Sequence, residues 1–324
     1  MEPPILGRLL NFLAMHREIH LRQMLKSWIL PIAMLGGILL HDYIDLLSPI
    51  TPYLIFASLT VTYTKLKISE LKITSFQWSL LCIHILGAVA VYAALANFSA
   101  TVAAGAFMCF FMPTATAAPV ITNMLGGNIT KVATYSLLCN MAIALTAPSL
   151  LSVIRGGSID FLSSFTTICA EVIPLLLIPF IIAILLKFSA PRLHAAISNH
   201  QSISFWIWAV SLFIVMGQAV SFMIKQPVEE FTEMIILAVV ALFICCFQFV
   251  VGRKIGKHFG DKIAGAQGLM QKNTILGIWM TLTYLNPIVS VAPAAYIVWQ
   301  NTINSLQIYF KTKREIKSHQ VVSK

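Results

Sequence analysis

Residues 108–128 read MCFFMPTATAAPVITNMLGGN, and residues 262–279 read KIAGAQGLMQKNTILGIW. Each lies in a run apolar enough for a membrane helix, yet neither can form an unbroken one. In the first, Pro113 and Pro119 stand six residues apart and Gly126-Gly127 closes the stretch. Proline lacks an amide donor and clashes with the preceding turn, so the helix is predicted to open between the two. In the second, Gly268, Gln271, Lys272, Asn273 and Thr274 interrupt the apolar pattern. Ala118 and Lys272 are 154 residues apart, close to half of the 324-residue chain. Interrupted spans at corresponding places in two halves point to an internal repeat, and an odd number of spans per half would invert the second copy.

Working outward, the apolar runs divide at charged or Pro, Gly and Asn-containing breaks into ten segments of spanning length. These are 24–41, 47–64, 75–96, 99–125, 130–153, 162–186, 203–224, 231–252, 262–285 and 287–310. The composition agrees: 58% of residues are apolar and 10% charged, with a mean hydropathy of +0.84. A soluble domain carries about 25% charged residues, so a soluble enzyme, a disordered chain and a disulfide-stapled module are all excluded. The six cysteines lie inside apolar runs with no metal-ligand spacing, and they read as small packing residues.

A net charge of +10 would suit nucleic acid if it were concentrated, but here it falls in short clusters between apolar runs. Of the 22 basic residues, all except Arg155, Lys225 and Lys272 lie in alternate loops or at the termini. That asymmetry predicts an even number of spans with both termini in the cytoplasm. The N-terminal stretch MEPPILGRLLNFLAMHREIHLRQMLK has no small-residue cleavage site after a continuous apolar core, so a cleaved leader is not expected. Leucines near helical spacing among Arg8, Arg17 and Arg22 predict an interfacial helix over 1–23. A basic cytoplasmic tail follows over 311–324.

Broken helices offer half-helix N-termini with free N–H groups and a positive dipole end, and unwound carbonyls that can hold a cation. This is the equipment of a secondary transporter for an anionic solute. The plainer reading is that Pro and Gly merely kink membrane helices. Two breaks in matching halves favour the first. No phosphate loop, HExxH or G-x-S-x-G element is present, so no covalent chemistry, and no enzyme, is expected.

At these residues the sequence resembles the bile acid:sodium symporter family. The stretch PTATAAPVITNMLGGNITKVATYS is similar to that family's first crossover, approximately PGGTASNVxTYLAxGNVALSV. GLMQKNTILG resembles its EVGMQNSGLA, and VSVAPAAYIVWQNTINSLQIY its last helix. The resemblance implies an all-α membrane protein of ten transmembrane helices in two inverted five-helix repeats, with broken crossing helices 4 and 9. The first repeat covers 24–154 (panel helices 1 and 2, core helices 3 to 5) and the second 162–310 (panel helices 6 and 7, core helices 8 to 10). The implied localisation is the bacterial inner membrane, multi-pass. The implied function is alternating-access transport of a small or amphipathic organic anion, bile-acid-like or a simpler carboxylate. The lipid bilayer and that solute are the expected partners, with no nucleic acid.

Residue by residue, the resemblance assigns substrate contacts to Thr116, Asn273, Gln300 and Asn301; for the last two, a hydrogen bond between neighbouring helices is the alternative. The family's sodium-ligand positions fall on Ala118, Pro119, Val132, Ser136, Gly268 and Lys272, and of these only Ser136 keeps a side-chain oxygen. No cofactor is expected and sodium is doubtful. Lys272 is expected to stand in for the ion, as a fixed charge or by exchanging protons. Glu171, in the sixth span, is either a partner of Lys272 in one conformation or a hydrated vestibule carboxylate. His84 reads as a proton relay or as a packing residue. Two rivals remain open: an efflux carrier of the arsenite or auxin-carrier kind, and a transporter-like sensor that binds without carrying.

Overall fold

A computed structural model describes residues 32–64, 71–115, 117–155, 161–199, 202–225 and 227–322. Among these residues the chain is all-α, with no strand and a single isolated bridge. In chain order the helices are α1 (residues 32–39), α2 (Thr51–Tyr63), α3 (Ser75–Leu95), α4 (Ala100–Phe111), α5 (Ala118–Leu125), α6 (Ile129–Arg155) and α7 (Phe161–Ser189). They continue with α8 (Pro191–Asn199), α9 (Ser202–Ile224), α10 (Phe231–His258), α11 (Lys262–Met270), α12 (Thr274–Tyr284) and α13 (Val291–Val322). Among the described residues, four helices are long and apolar enough to cross a membrane: α3, α6, most of α7, and α10 with the turn before it.

Local chemistry sets the ends. Thr74 and Gln77 form a capping box that starts α3, with the Thr74 N–H donating to Gln77 Oε1 at 2.9 Å. Ser99 Oγ accepts from Val102 N at 3.2 Å to start α4. Asp261 Oδ1 accepts from Ile263 N and Ala264 N at 3.0 and 2.9 Å to start α11. Asn128 Oδ1 accepts from Lys131 N at 3.0 Å, so it caps the first turn of α6. Gly126 ends α5 at φ +85°, a conformation that suits glycine.

Both expected interruptions are present. The first opens just ahead of Pro113, and α5 restarts with Pro119 in its first turn, where a missing N–H costs nothing. The second is only three residues long, Gln271 to Asn273. It contains neither proline nor glycine. The chain leaves the helix there because it pairs with the other break: Ala115 N donates to Gln271 O at 2.9 Å and Asn273 N to Pro113 O at 2.7 Å. Thr114 and Lys272 face each other in this short antiparallel pairing.

Around the crossing, α10 packs on α11, α13 and α4, and α3 packs on α4 and α6. Helix α2 packs on α7 and α9 instead. The tightest approach joins α10 to α11, where a Cβ on Gly265 would overlap the Gly252 carbonyl and the Gly256 backbone.

Three differences from the sequence reading stand out. The stretch after residue 310 is helical, since α13 continues through it to Val322. The sixth segment runs three residues past 186, and α8 follows it as an extra helix with no buried residue. The first segment is helical only over 32–39 of its described part, and then passes into 3-10 turns at His41–Leu46 around Asp42. The interfacial helix expected over 1–23 lies outside the described residues.

Candidate functional site: the crossing of two broken helices

A helix that stops inside a membrane leaves its last carbonyls without partners, and hydrocarbon cannot supply them. At the end of α4 each such carbonyl is met by a side chain from another element. Cys109 O accepts from Gln248 Nε2 of α10 at 3.0 Å. Phe110 O accepts from Lys272 Nζ at 2.7 Å, and Phe111 O faces His84 Nε2 of α3 at 3.0 Å. The α11 end is treated alike. Gly268 O accepts from Thr114 Oγ1 at 2.9 Å and Met270 O from Tyr296 Oη of α13 at 2.9 Å.

Gln300, also on α13, grips the second break by its backbone. Its Oε1 accepts from Lys272 N at 2.9 Å, and its Nε2 donates to Lys272 O at 3.4 Å. A buried amide chain extends this grip, with Gln267 Nε2 donating to Asn304 Oδ1 at 2.9 Å and Asn304 Nδ2 to Gln271 Oε1 at 2.6 Å. Gln300 is 2% exposed, and both ends of its amide are engaged in holding backbone. Its position therefore matches the helix-to-helix alternative. Asn301, its neighbour, is half-buried.

Lys272 is 1% exposed, one of the largest fully buried side chains in the protein. Its Nζ lies 3.0 Å from His84 Nδ1 as well as 2.7 Å from Phe110 O. The Tyr135 hydroxyl is 3.2 Å from the same His84 nitrogen and Cys139 Sγ is 3.6 Å away. The carbonyl that meets the ammonium belongs to the broken fourth helix, the kind of partner expected for a lysine too deep to reach either interface.

Alternate side chains of a paired strand point to opposite sides. Lys272 thus faces α3 and α4, while Ala115 and Asn273 line a small cavity closed by Ile55, Ser58 and Leu59 of α2, Ser211 of α9 and Ile275 of α12. The cavity is narrow, with an enclosed space of about 20 Å³, room for a molecule the size of water. Asn273 also caps α12, its Oδ1 accepting from Leu276 N at 3.2 Å. Thr116 lies outside the described residues, between Ala115 and α5.

The positions that the family resemblance gives to sodium ligands are occupied as follows. Ala118 and Val132 are buried and offer no side-chain oxygen, and Pro119 is half-buried. A Cβ on Gly268 would sit 3.0 Å from Leu80 and 3.1 Å from Tyr135, so those two side chains fill the space of a longer residue there. Ser136 Oγ points at Thr114 O, 3.4 Å away. This set does not fit a hard cation that needs several oxygen ligands. No group of His, Cys, Asp and Glu among the described residues could hold a metal ion.

Glu171 is exposed and accepts from the Tyr284 hydroxyl at 2.7 Å, which places it with α12 and away from Lys272 in this conformation. The main residue under-read in the sequence is His84, whose two nitrogens join Lys272 to the α4 end. Gln248, Thr114, Tyr296 and Asn304 were passed over altogether. For Gln248 and Tyr296 a signal was available, each being a lone polar side chain inside an apolar run, whereas Thr114 and Asn304 stand among other polar residues. No protein-family model and no curated protein matches the chain.

Proposed function

We propose that this protein is a secondary transporter that carries a small or amphipathic organic anion across the inner membrane by alternating access, without sodium. The observation that carries the reading is the crossing itself: two half-helix breaks pair back to back beside a cavity walled by α2 and α9. Helices α5 and α12 begin at that crossing, so their positive dipole ends meet there and favour an anion, although the first amides of α5 are already bonded to Ala115 O and Ala117 O. The groups that hold the breaks come from α3, α6, α10 and α13. Helices α2 and α9 only line the cavity, which suits a panel that moves against a fixed core. Ten spans in two inverted repeats, with both termini cytoplasmic, complete the proposal.

The test is a thermal-shift screen of carboxylates, bile acids and sulfonates in choline and in sodium buffers. A true ligand raises the apparent stability. Hits are then followed by counterflow in liposomes. Asn273→Ala is expected to weaken anion binding by about 1–2 kcal/mol, the scale of a hydrogen bond to a charged group. It also removes the α12 cap, at about 1 kcal/mol of stability. Asn273→Ser keeps a capping oxygen and separates the two effects. Unchanged affinity in a folded Asn273→Ala protein would make the crossing structural, and binding without counterflow would favour the sensor.

A further inference from the structure

Two nitrogen bases meet in the protein interior, and nothing in the transport reading uses the proton between them. His84 Nε2 faces Phe111 O, which can only accept, so the ring proton is on Nε2 and Nδ1 presents its lone pair. Lys272 Nζ faces that lone pair at 3.0 Å and Phe110 O at 2.7 Å. A second ring proton would set two donors against each other, so the pair holds one positive charge at most. Losing that charge breaks no contact: an uncharged Nζ keeps two N–H groups, one for Phe110 O and one for Nδ1. The same geometry thus admits the protonated and the neutral state.

We propose that the Lys272–His84 pair is the coupling site of the transporter, taking up one proton when the organic anion binds and giving it up when the anion leaves. This rests on the transport reading above. The paired backbone of the crossing separates Nζ from the cavity where Ala115 and Asn273 sit. Charges interact more strongly through the protein interior than through water, so the anion favours the protonated pair and the bound load is neutral overall. On the release side the proton passes from Nζ to water admitted by movement of α2 and α9, and the lone pair stays on Nζ.

The other titratable groups around the pair are thiols and phenols, which are neutral when protonated: Cys109 from α4, Tyr135 and Cys139 from α6, Cys245 from α10 and Tyr296 from α13. The charged residues of α6 and α10, such as Lys131, Arg155, Glu233 and Lys257, sit toward the helix ends, and those of α13 lie in its last third from Lys311 on.

The proton is itself the first probe. Purified protein in detergent is stepped from about pH 9 to about pH 6 in weak buffer, and an indicator dye counts the protons taken up per chain. Wild type is expected to take up about one proton more than Lys272→Arg, whose guanidinium stays charged throughout. The double variant Lys272→Gln, His84→Gln, which leaves no base in the pair, gives the same difference and serves if the arginine does not fold. Equal counts in wild type and variants would overturn the proposal whatever the protein transports.

Liposomes loaded with a pH dye and free of sodium then receive taurocholate, a sulfonate that stays ionised and carries no proton passively. Wild type is expected to move about one proton per anion, and the ratio is expected to fall about tenfold or more in Lys272→Arg. Taurocholate counterflow without proton movement would overturn the coupling and leave the transport reading standing. If taurocholate does not move at all, transport of this anion fails, and the proton count alone decides the site.

Discussion

Gln300 stabilises Lys272 through its main chain and leaves the ammonium to other partners. Replacing it with leucine would strand the buried Lys272 N–H, at an expected cost of about 1–3 kcal/mol, read as a lower midpoint in denaturant. A Gln300→Leu protein as stable as wild type would mean that the second break finds other partners for its backbone. At this scale the sequence was only half legible. That a deep lysine needs internal partners follows from its distance to the interfaces, about 15 Å from either. Which partners it takes does not follow, because His84 stands 188 residues away and meets it only once both helices have broken and crossed. Gln300 was ambiguous for the same reason, since a buried amide serves a solute or a backbone equally well until its neighbours are placed.

The helix segments were more legible than their contents. Pro113 and Pro119 announce the first break from chemistry that acts within a few residues, and the apolar runs announce most of the helices. The short gap over 271–273 was signalled by its polar residues alone, and its extended form depends on pairing with Pro113 and Ala115. Helix α8 escaped notice because it buries nothing, so no apolar run marks it. The α10–α11 approach was equally silent, since a glycine in an apolar run does not say which backbone comes near it. Gly265→Leu forces those backbones apart, and we expect a loss of about 1–3 kcal/mol or a failure to fold, measured by thermal unfolding in detergent. Gly260, with nothing within 4 Å of its would-be Cβ, is a fitting contrast, although its positive φ still penalises a side chain.

For the whole molecule, charge distribution carries the orientation. With all but three basic residues on one side of the predicted membrane, a reporter fused after Lys324 is expected to be active in the cytoplasm. An external C-terminus would mean an odd number of spans and would remove the inverted repeat. The family resemblance implies a core of α3–α6 with α10–α13 and a panel of α2, α7 and α9, but α7 packs on α6 as well as on α2, so the packing alone does not separate the two groups. The Tyr284–Glu171 hydrogen bond joins α12 to α7 at an exposed carboxylate. The paired breaks have one more consequence, and it concerns time. Unwound backbone in a membrane protein ordinarily trades its amide hydrogens for deuterium quickly. Here the Ala115 and Asn273 amides are bonded across the crossing and can open only if the two breaks part. In deuterated buffer these two non-helical amides should be among the last to exchange, slower than those of the regular but lightly packed α8, so the protein's irregular centre would also be its slowest clock.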